Sequence, residues 1–167
     1  YTLWHTLSLH DALPISYVVR RFDRVGSHKL PLEDGAQLAG RTRETKYDYS
    51  VERLVPLIEN HCTFPRVELL RLYRRILFSF LVGNEDLHLK NISLIRTEGL
   101  VRLSPAYDLV NSTIVLGPDA EETALPIAGK RRGLTRKVLV EYLGRERFGL
   151  PEKQIASELE LLRDTVP

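Results

Sequence analysis

Asp86 and Asn91 close the stretch Gly83-Asn84-Glu85-Asp86-Leu87-His88-Leu89-Lys90-Asn91, and a further acid, Asp108, follows in Ser104-Pro105-Ala106-Tyr107-Asp108-Leu109. Two carboxylates and a carboxamide in this order suit phosphoryl transfer. A transferring phosphoryl group passes through a loose transition state with charge spread over its oxygens. The protein must therefore supply one carboxylate to orient the attacking hydroxyl and hard oxygen ligands to hold magnesium on the nucleotide. Asp86 suits the first task, and Asn91 and Asp108 suit the second. His88 is expected to orient Asp86 within the loop, because a neutral imidazole near its reference pKa is a weak phosphate clamp. Lys90 is either a contact to the γ-phosphate or a solvated side chain. The plain alternative is a polar loop in which Asp86 and Asn91 satisfy nearby backbone groups.

The flanking segments favour the chemical reading. Upstream, Leu69, Leu70, Tyr73, Ile76, Leu77, Phe80 and Leu81 recur at helical spacing with Arg71, Arg74 and Arg75 between them, which predicts a helix over 67–81. Gly83 stops it. Downstream, Ile92-Ser93-Leu94-Ile95 and Val101-Arg102-Leu103 flank Thr97-Glu98-Gly99, the pattern of a short hairpin. Helix, loop, hairpin and acid is also the order in which protein kinases present an Asp-x4-Asn catalytic loop and a metal-binding Asp. Sites tend to sit on such loops at the ends of rigid elements.

The rest of the chain organises coarsely. The β-branched run 17–22 suits a strand, Val25-Gly26-Ser27 a turn, and 31–38 a short helix. Ser50 is placed to cap a helix over 51–60 that Pro56 should kink or split. Thr113-Ile114-Val115-Leu116 and Ala124-Leu125-Pro126-Ile127 read as strands. Thr135 reads as the cap of a helix over 136–146, and Pro151 opens a final helix carrying Ile155, Leu159 and Leu162. The fold class expected is α+β, mainly helical, with small hairpins.

With 167 residues and 43% hydrophobic content, the chain can form one domain with a core. Its 24 basic residues are offset by 22 acidic ones, too even a balance for a dedicated nucleic-acid binder. Lys130-Arg131-Arg132, the densest basic run, is a solvated turn or a contact for an acidic partner. The single cysteine, Cys62, cannot form an intramolecular disulfide. No apolar run approaches the roughly 18 residues of a membrane span, so a cytoplasmic protein is expected.

Val19-Arg20-Arg21-Phe22-Asp23-Arg24, Lys29-Leu30-Pro31-Leu32-Glu33-Asp34, Lys46-Tyr47-Asp48, the Gly83 to Asn91 loop and Ala106-Tyr107-Asp108-Leu109 occur in this order. From about Tyr17 onward the chain thereby resembles the C-terminal catalytic region of the HipA family toxin kinases. The resemblance implies the C-lobe of a protein-kinase-like fold, with Asp86 as catalytic aspartate and Asn91 and Asp108 as ligands of Mg2+. It implies that the backbone of Arg20 to Phe22 meets the adenine of ATP, with Asp23 near the ribose. It further implies a serine/threonine protein kinase that is the toxin of a type II toxin-antitoxin pair. Its acceptor would be a protein such as an aminoacyl-tRNA synthetase, and its partner a small helix-turn-helix antitoxin through which alone it meets DNA.

One departure stands out. The residues before Tyr17 include no Gly-rich loop and no Lys, so the N-lobe that clamps the phosphates is expected to be missing and the fragment inactive alone. Asp-x-His-x-x-Asn is also similar to the loop of phosphoinositide-type lipid kinases, which keeps a lipid or small-molecule acceptor as the enzymatic alternative. A non-catalytic binding module is the other.

Thr6-Leu7-Ser8-Leu9-His10-Asp11-Ala12-Leu13-Pro14-Ile15 is what a widely used short-read sequencing adapter encodes in one frame. Residues 1–15 are therefore expected to be an adapter-derived artefact and 16–167 the native domain. Without a basic n-region and with Asp11 in its middle, this segment does not read as a targeting peptide.

Overall fold

The computed structural model describes residues 18–117 and 120–165. The proposed artefact over 1–15 lies outside them. In chain order the elements are β1 (Arg24–Val25), β2 (His28–Lys29), β3 (Leu32–Asp34), α1 (Gly35–Leu38), α2 (Val51–His61), α3 (Pro65–Leu81), β4 (Ser93–Thr97), β5 (Leu100–Leu103), α4 (Thr113–Leu116), a π-helical segment (Lys137–Arg147) and α5 (Glu152–Thr165). A 3-10 turn over Leu89–Asn91 joins α3 to β4.

α3 is the axis. Pro65 occupies its first turn, where a missing N–H leaves no helical bond unmade. Leu69, Leu72 and Tyr73 are fully buried on its inner face. They join Leu54 and Ile58 of α2, Leu94 and Leu103 of the sheet, and Leu143, Phe148 and Ile155 in one core. Removing each such side chain from water contributes about 1.5–3 kcal/mol, so this seam fixes where the loop after α3 emerges.

The sheet has the order β3-β4-β5, antiparallel throughout. The β4–β5 hairpin turns at Glu98 and Gly99, both in the left-handed region, as the sequence predicts. β3 is a correction. Leu32-Glu33-Asp34 is a strand in register with Ile95, Leu94 and Ser93, and the helix begins only at Gly35, capped by Asp34.

Four further expectations change. Val18 to Phe22 pairs with no strand among the described residues, and the tight β1–β2 hairpin starts at Arg24 instead. Thr113–Leu116 is a helical turn, and Ala124 to Ile127 contributes only an isolated bridge from Ile127 to Lys130. Pro56 does not split α2, which runs unbroken to His61. The helix expected after Thr135 is present but wound wide: Phe148 N donates to Leu143 O at 2.9 Å, while the Thr135 hydroxyl accepts from Val138 N at 3.3 Å.

Candidate active site

Gly83 ends α3 with φ +67, and a Cβ there would stand 2.6 Å from Thr113 Oγ1. Only glycine fits this position without displacement. Its carbonyl accepts the N–H groups of Ser112 at 3.0 Å and Thr113 at 3.3 Å. The loop leaving α3 is thus fastened to the segment that follows Asp108. Buried Asn84 then accepts from Asp86 N at 3.3 Å.

The Asp86 side chain is exposed, and its Oδ1 accepts the Tyr47 hydroxyl at 2.7 Å. Burial, reinforced by the Asp86 carboxylate, pushes the Tyr47 hydroxyl up to about 12, so it stays a donor at neutral pH. The ring of Tyr47 meets His88 edge-on at 5.2 Å.

His88 does not turn its ring to Asp86. Its Nε2 lies 2.5 Å from Lys46 Nζ, and its Nδ1 is buried without a partner. An ammonium can only donate, so Nε2 accepts and Nδ1 carries the ring proton. Burial holds the imidazole pKa below its ordinary value, and the Lys46 charge adds to that against the pull of Asp86. What His88 does position is Asn91, whose Oδ1 accepts the His88 N–H at 3.2 Å. That bond fixes the amide, since the flipped orientation would set two donors together. Asn91 Nδ2 consequently faces Asp108 and donates to Oδ2 at 2.7 Å.

Asp108 is exposed and left-handed, φ +57, a conformation that Asp tolerates better than most residues. Tyr107 anchors it from behind. Its hydroxyl donates to the Lys90 carbonyl and meets Ser93 Oγ at 2.6 Å. The Lys90 ammonium pairs with Asp34 Oδ2 at 2.6 Å, while Asp34 Oδ1 accepts from Gln37 N at 2.9 Å to cap α1.

A cavity of about 610 Å³ gathers Arg20, Phe22, Asp23, Lys90, Tyr107 and Asp108. Phe22 and Tyr107 stand ring to ring, 5.5 Å between centroids. Asp23 is buried and held by both arms of the Arg21 guanidinium at 2.8 and 2.6 Å, a hydrogen-bonded pairing that lowers its carboxyl pKa. A second cavity of about 570 Å³ is lined by Tyr47, Glu85, Asp86, Ser112, Glu121 and Arg131. The structure therefore brings Asn91 and Asp108 into direct contact and sets Asp108 among the residues expected at the nucleotide. Asp86 opens onto a separate cavity, linked to Asn91 by the loop between them.

Asp108 offers at the cavity wall a hard oxygen donor of the kind magnesium takes, with phosphates and water completing the shell. Asn91 turns its NH2 to Asp108 and keeps its own oxygen on the His88 N–H, so it would join as a ligand only with its amide turned. Among the described residues no group of three or more His, Cys, Asp and Glu converges as a metal cage. Asp108, with Asn91 directly behind it, thus fits an ion that arrives with a nucleotide. Tyr47, Lys46 and Asp34 complete the site. By composition alone Lys46-Tyr47-Asp48 reads as a turn and Glu33-Asp34 as a helix start, and in the sequence only the family resemblance singles these segments out.

Residues 4–167 match the family model described as HipA-like C-terminal domain. The Sinorhizobium fredii protein named "Putative kinase Y4dM" is 36% identical over 107 residues, 64% of this chain and 25% of that protein. A Haemophilus influenzae protein named "Putative kinase" is 30% identical over 141 residues, 71% of this chain and 37% of its own length. The chain thus spans between a quarter and two fifths of these curated relatives. Among solved structures, a chain of the Shewanella oneidensis MR-1 toxin-antitoxin complex of HipA, HipB and operator DNA superposes with a TM-score of 0.71. That likeness, at 24% identity over 88% of this chain and 39% of the other, is one of fold.

Proposed function

The chain belongs to the HipA-like C-terminal domain family, and from that premise we propose that it is the catalytic-loop and metal-binding part of an ATP-dependent serine/threonine protein kinase. The observation that carries this reading is the Asn91 to Asp108 contact at 2.7 Å, at the wall of a cavity that also gathers Arg20, Phe22 and Asp23. In this reading the backbone of Arg20 to Phe22 borders the adenine of ATP, Asp23 lies near the ribose, and Lys90 and Asp108 face the phosphates. Bound magnesium supplies offsetting charge for the phosphoryl oxygens. Asp108 would hold that ion, joined by Asn91 once its amide turns its oxygen from the His88 N–H. Asp86, steadied by Tyr47, orients the acceptor hydroxyl and takes its proton as transfer proceeds.

The whole protein, on this proposal, is the cytoplasmic toxin of a type II toxin-antitoxin pair, and residues 16–167 are its native C-terminal part. Among the described residues no helix is long and apolar enough to cross a membrane. Its partner is a helix-turn-helix antitoxin, and DNA is reached through that partner. The Shewanella assembly of HipA with HipB and operator DNA supports this arrangement. The acceptor is a protein such as an aminoacyl-tRNA synthetase, as the family resemblance implies.

The test offers γ-labelled ATP and magnesium to the full-length protein with protein acceptors in one arm and phosphoinositide vesicles in the other. Label should pass to serine or threonine of a protein, and Asp86→Asn should suppress it. Label on lipid alone, or transfer indifferent to Asp86→Asn, would overturn the proposal.

A further inference from the structure

Lys46 reaches the Asp86 loop from 42 residues upstream, and its ammonium sits where two aromatic rings meet. Nζ lies 2.5 Å from His88 Nε2 and 4.7 Å from the centroid of the Tyr47 ring, over its face. The rings themselves stand edge-on, 5.2 Å apart. A cation over an aromatic face is attracted by the ring quadrupole, and its N–H groups are charged donors to the imidazole nitrogen. One side chain therefore holds both rings at once. We propose that Lys46 is a positioning residue of the phosphoryl-transfer site, setting the Asp86 carboxylate through His88 and Tyr47. The inference rests on the kinase reading and deepens it.

The backbone that carries Lys46 is anchored. Its carbonyl accepts Leu89 N at 3.4 Å, and Asp48 N closes a turn onto the Thr45 carbonyl at 3.0 Å. Arg131 Nη2 donates to the Tyr47 carbonyl at 3.3 Å. From that frame the Tyr47 hydroxyl reaches Asp86 Oδ1 at 2.7 Å. The His88 ring depends on Lys46 for its angle: it is buried, and its Nδ1 has no partner among the described residues, so the ammonium supplies its hydrogen bond. Take that donor away and a buried imidazole has neither nitrogen satisfied, which favours a turned ring. Tyr47 then loses both the cation on its face and the edge it leans against, and its hydroxyl is free to leave Asp86. Lys46 lines neither the cavity of Asp108 nor that of Asp86. It therefore acts through the two rings rather than on a substrate.

The test compares the full-length protein with its Lys46→Met, Tyr47→Phe and doubly substituted variants, in transfer from γ-labelled ATP with magnesium to the protein acceptor identified by labelling. Lys46→Met keeps an unbranched stem and removes the charged donor. Its kcat should fall about tenfold, with KM for ATP unchanged. In the Tyr47→Phe background the same change should cost less than about twofold more, because both residues reach Asp86 by one route. Losses that multiply in the double variant, or a Lys46→Met kcat within about twofold of the original, overturn the proposal. Should Lys46→Met fail to fold, the imidazole 15N resonances of His88 in the unaltered protein decide, at about pH 8 where a free imidazole is neutral. The proton should sit on Nδ1. A proton on Nε2 would mean that no ammonium donates there, and the proposal fails. No transfer by the unaltered protein would instead overturn the kinase reading, and the His88 proton would still report whether Lys46 holds the ring.

Discussion

Asn91 Nδ2 lies 2.7 Å from Asp108 Oδ2, across seventeen residues of chain. The contact is set from both sides: the His88 N–H fixes the amide, and the Tyr107 hydroxyl ties the Asp108 segment back to the Lys90 carbonyl. Asn91→Ala removes one proposed ligand and frees the other. In the full-length protein it should weaken the magnesium dependence of transfer by about 10–100-fold, with circular dichroism unchanged. An unaltered magnesium titration would remove Asn91 from the metal site.

Tyr47 holds Asp86 by a hydroxyl that donates at 2.7 Å. Tyr47→Phe keeps the ring against His88 and deletes only that donor. A hydrogen bond to a charged group contributes about 1.5–3 kcal/mol, so kcat should fall about tenfold or more while KM for ATP stays put. A change confined to KM would mean that Tyr47 serves nucleotide binding instead.

Gly83→Ala should destabilise the fold by about 1–3 kcal/mol, because the residue sits at φ +67 and its new Cβ would meet Thr113 Oγ1. Hydrogen exchange should quicken at the amides of Ser112 and Thr113, which bond to the Gly83 carbonyl. Unchanged protection there would show that the junction tolerates a side chain.

His88 titrates below its ordinary value of 6.5, chiefly through burial. In the unfolded chain the ring takes its proton first as pH falls, so the folded state loses stability from about pH 6.5 downward, through the lower folded pKa. Above that window the contribution is intact. Urea denaturation at about pH 7.5 and about pH 5.5 should show a smaller acid loss for His88→Gln than for the unaltered chain. Identical losses would place the acid sensitivity elsewhere.

Much of this architecture is legible in residue order. α3 and the β4–β5 hairpin follow from helical spacing around Leu69 to Leu81 and from the Thr97-Glu98-Gly99 turn. The loop from Gly83 to Asn91 and the later Asp108 stand out as the proposed site through residue type and spacing. What stays hidden is decided by distant partners. Leu32-Glu33-Asp34 becomes a strand only because β4, some sixty residues on, offers Ile95, Leu94 and Ser93 as partners. Thr113–Leu116 has strand-forming composition, yet its start is bound to the Gly83 carbonyl and it coils as one helical turn. Tyr47 and Asp34 reach the site from 39 and 56 residues away, a distance over which periodicity carries no information.

The most direct test of the kinase assignment is Asp108→Asn in the full-length protein, followed by the rate of phosphoryl transfer from ATP with magnesium to its protein acceptor. The variant should fold as the unaltered protein does, since Asp108 is exposed and its Asn91 contact can be kept by an amide oxygen. Its transfer rate should drop by roughly a hundredfold to a thousandfold. A folded Asp108→Asn protein that transfers phosphate at the original rate would contradict the assignment.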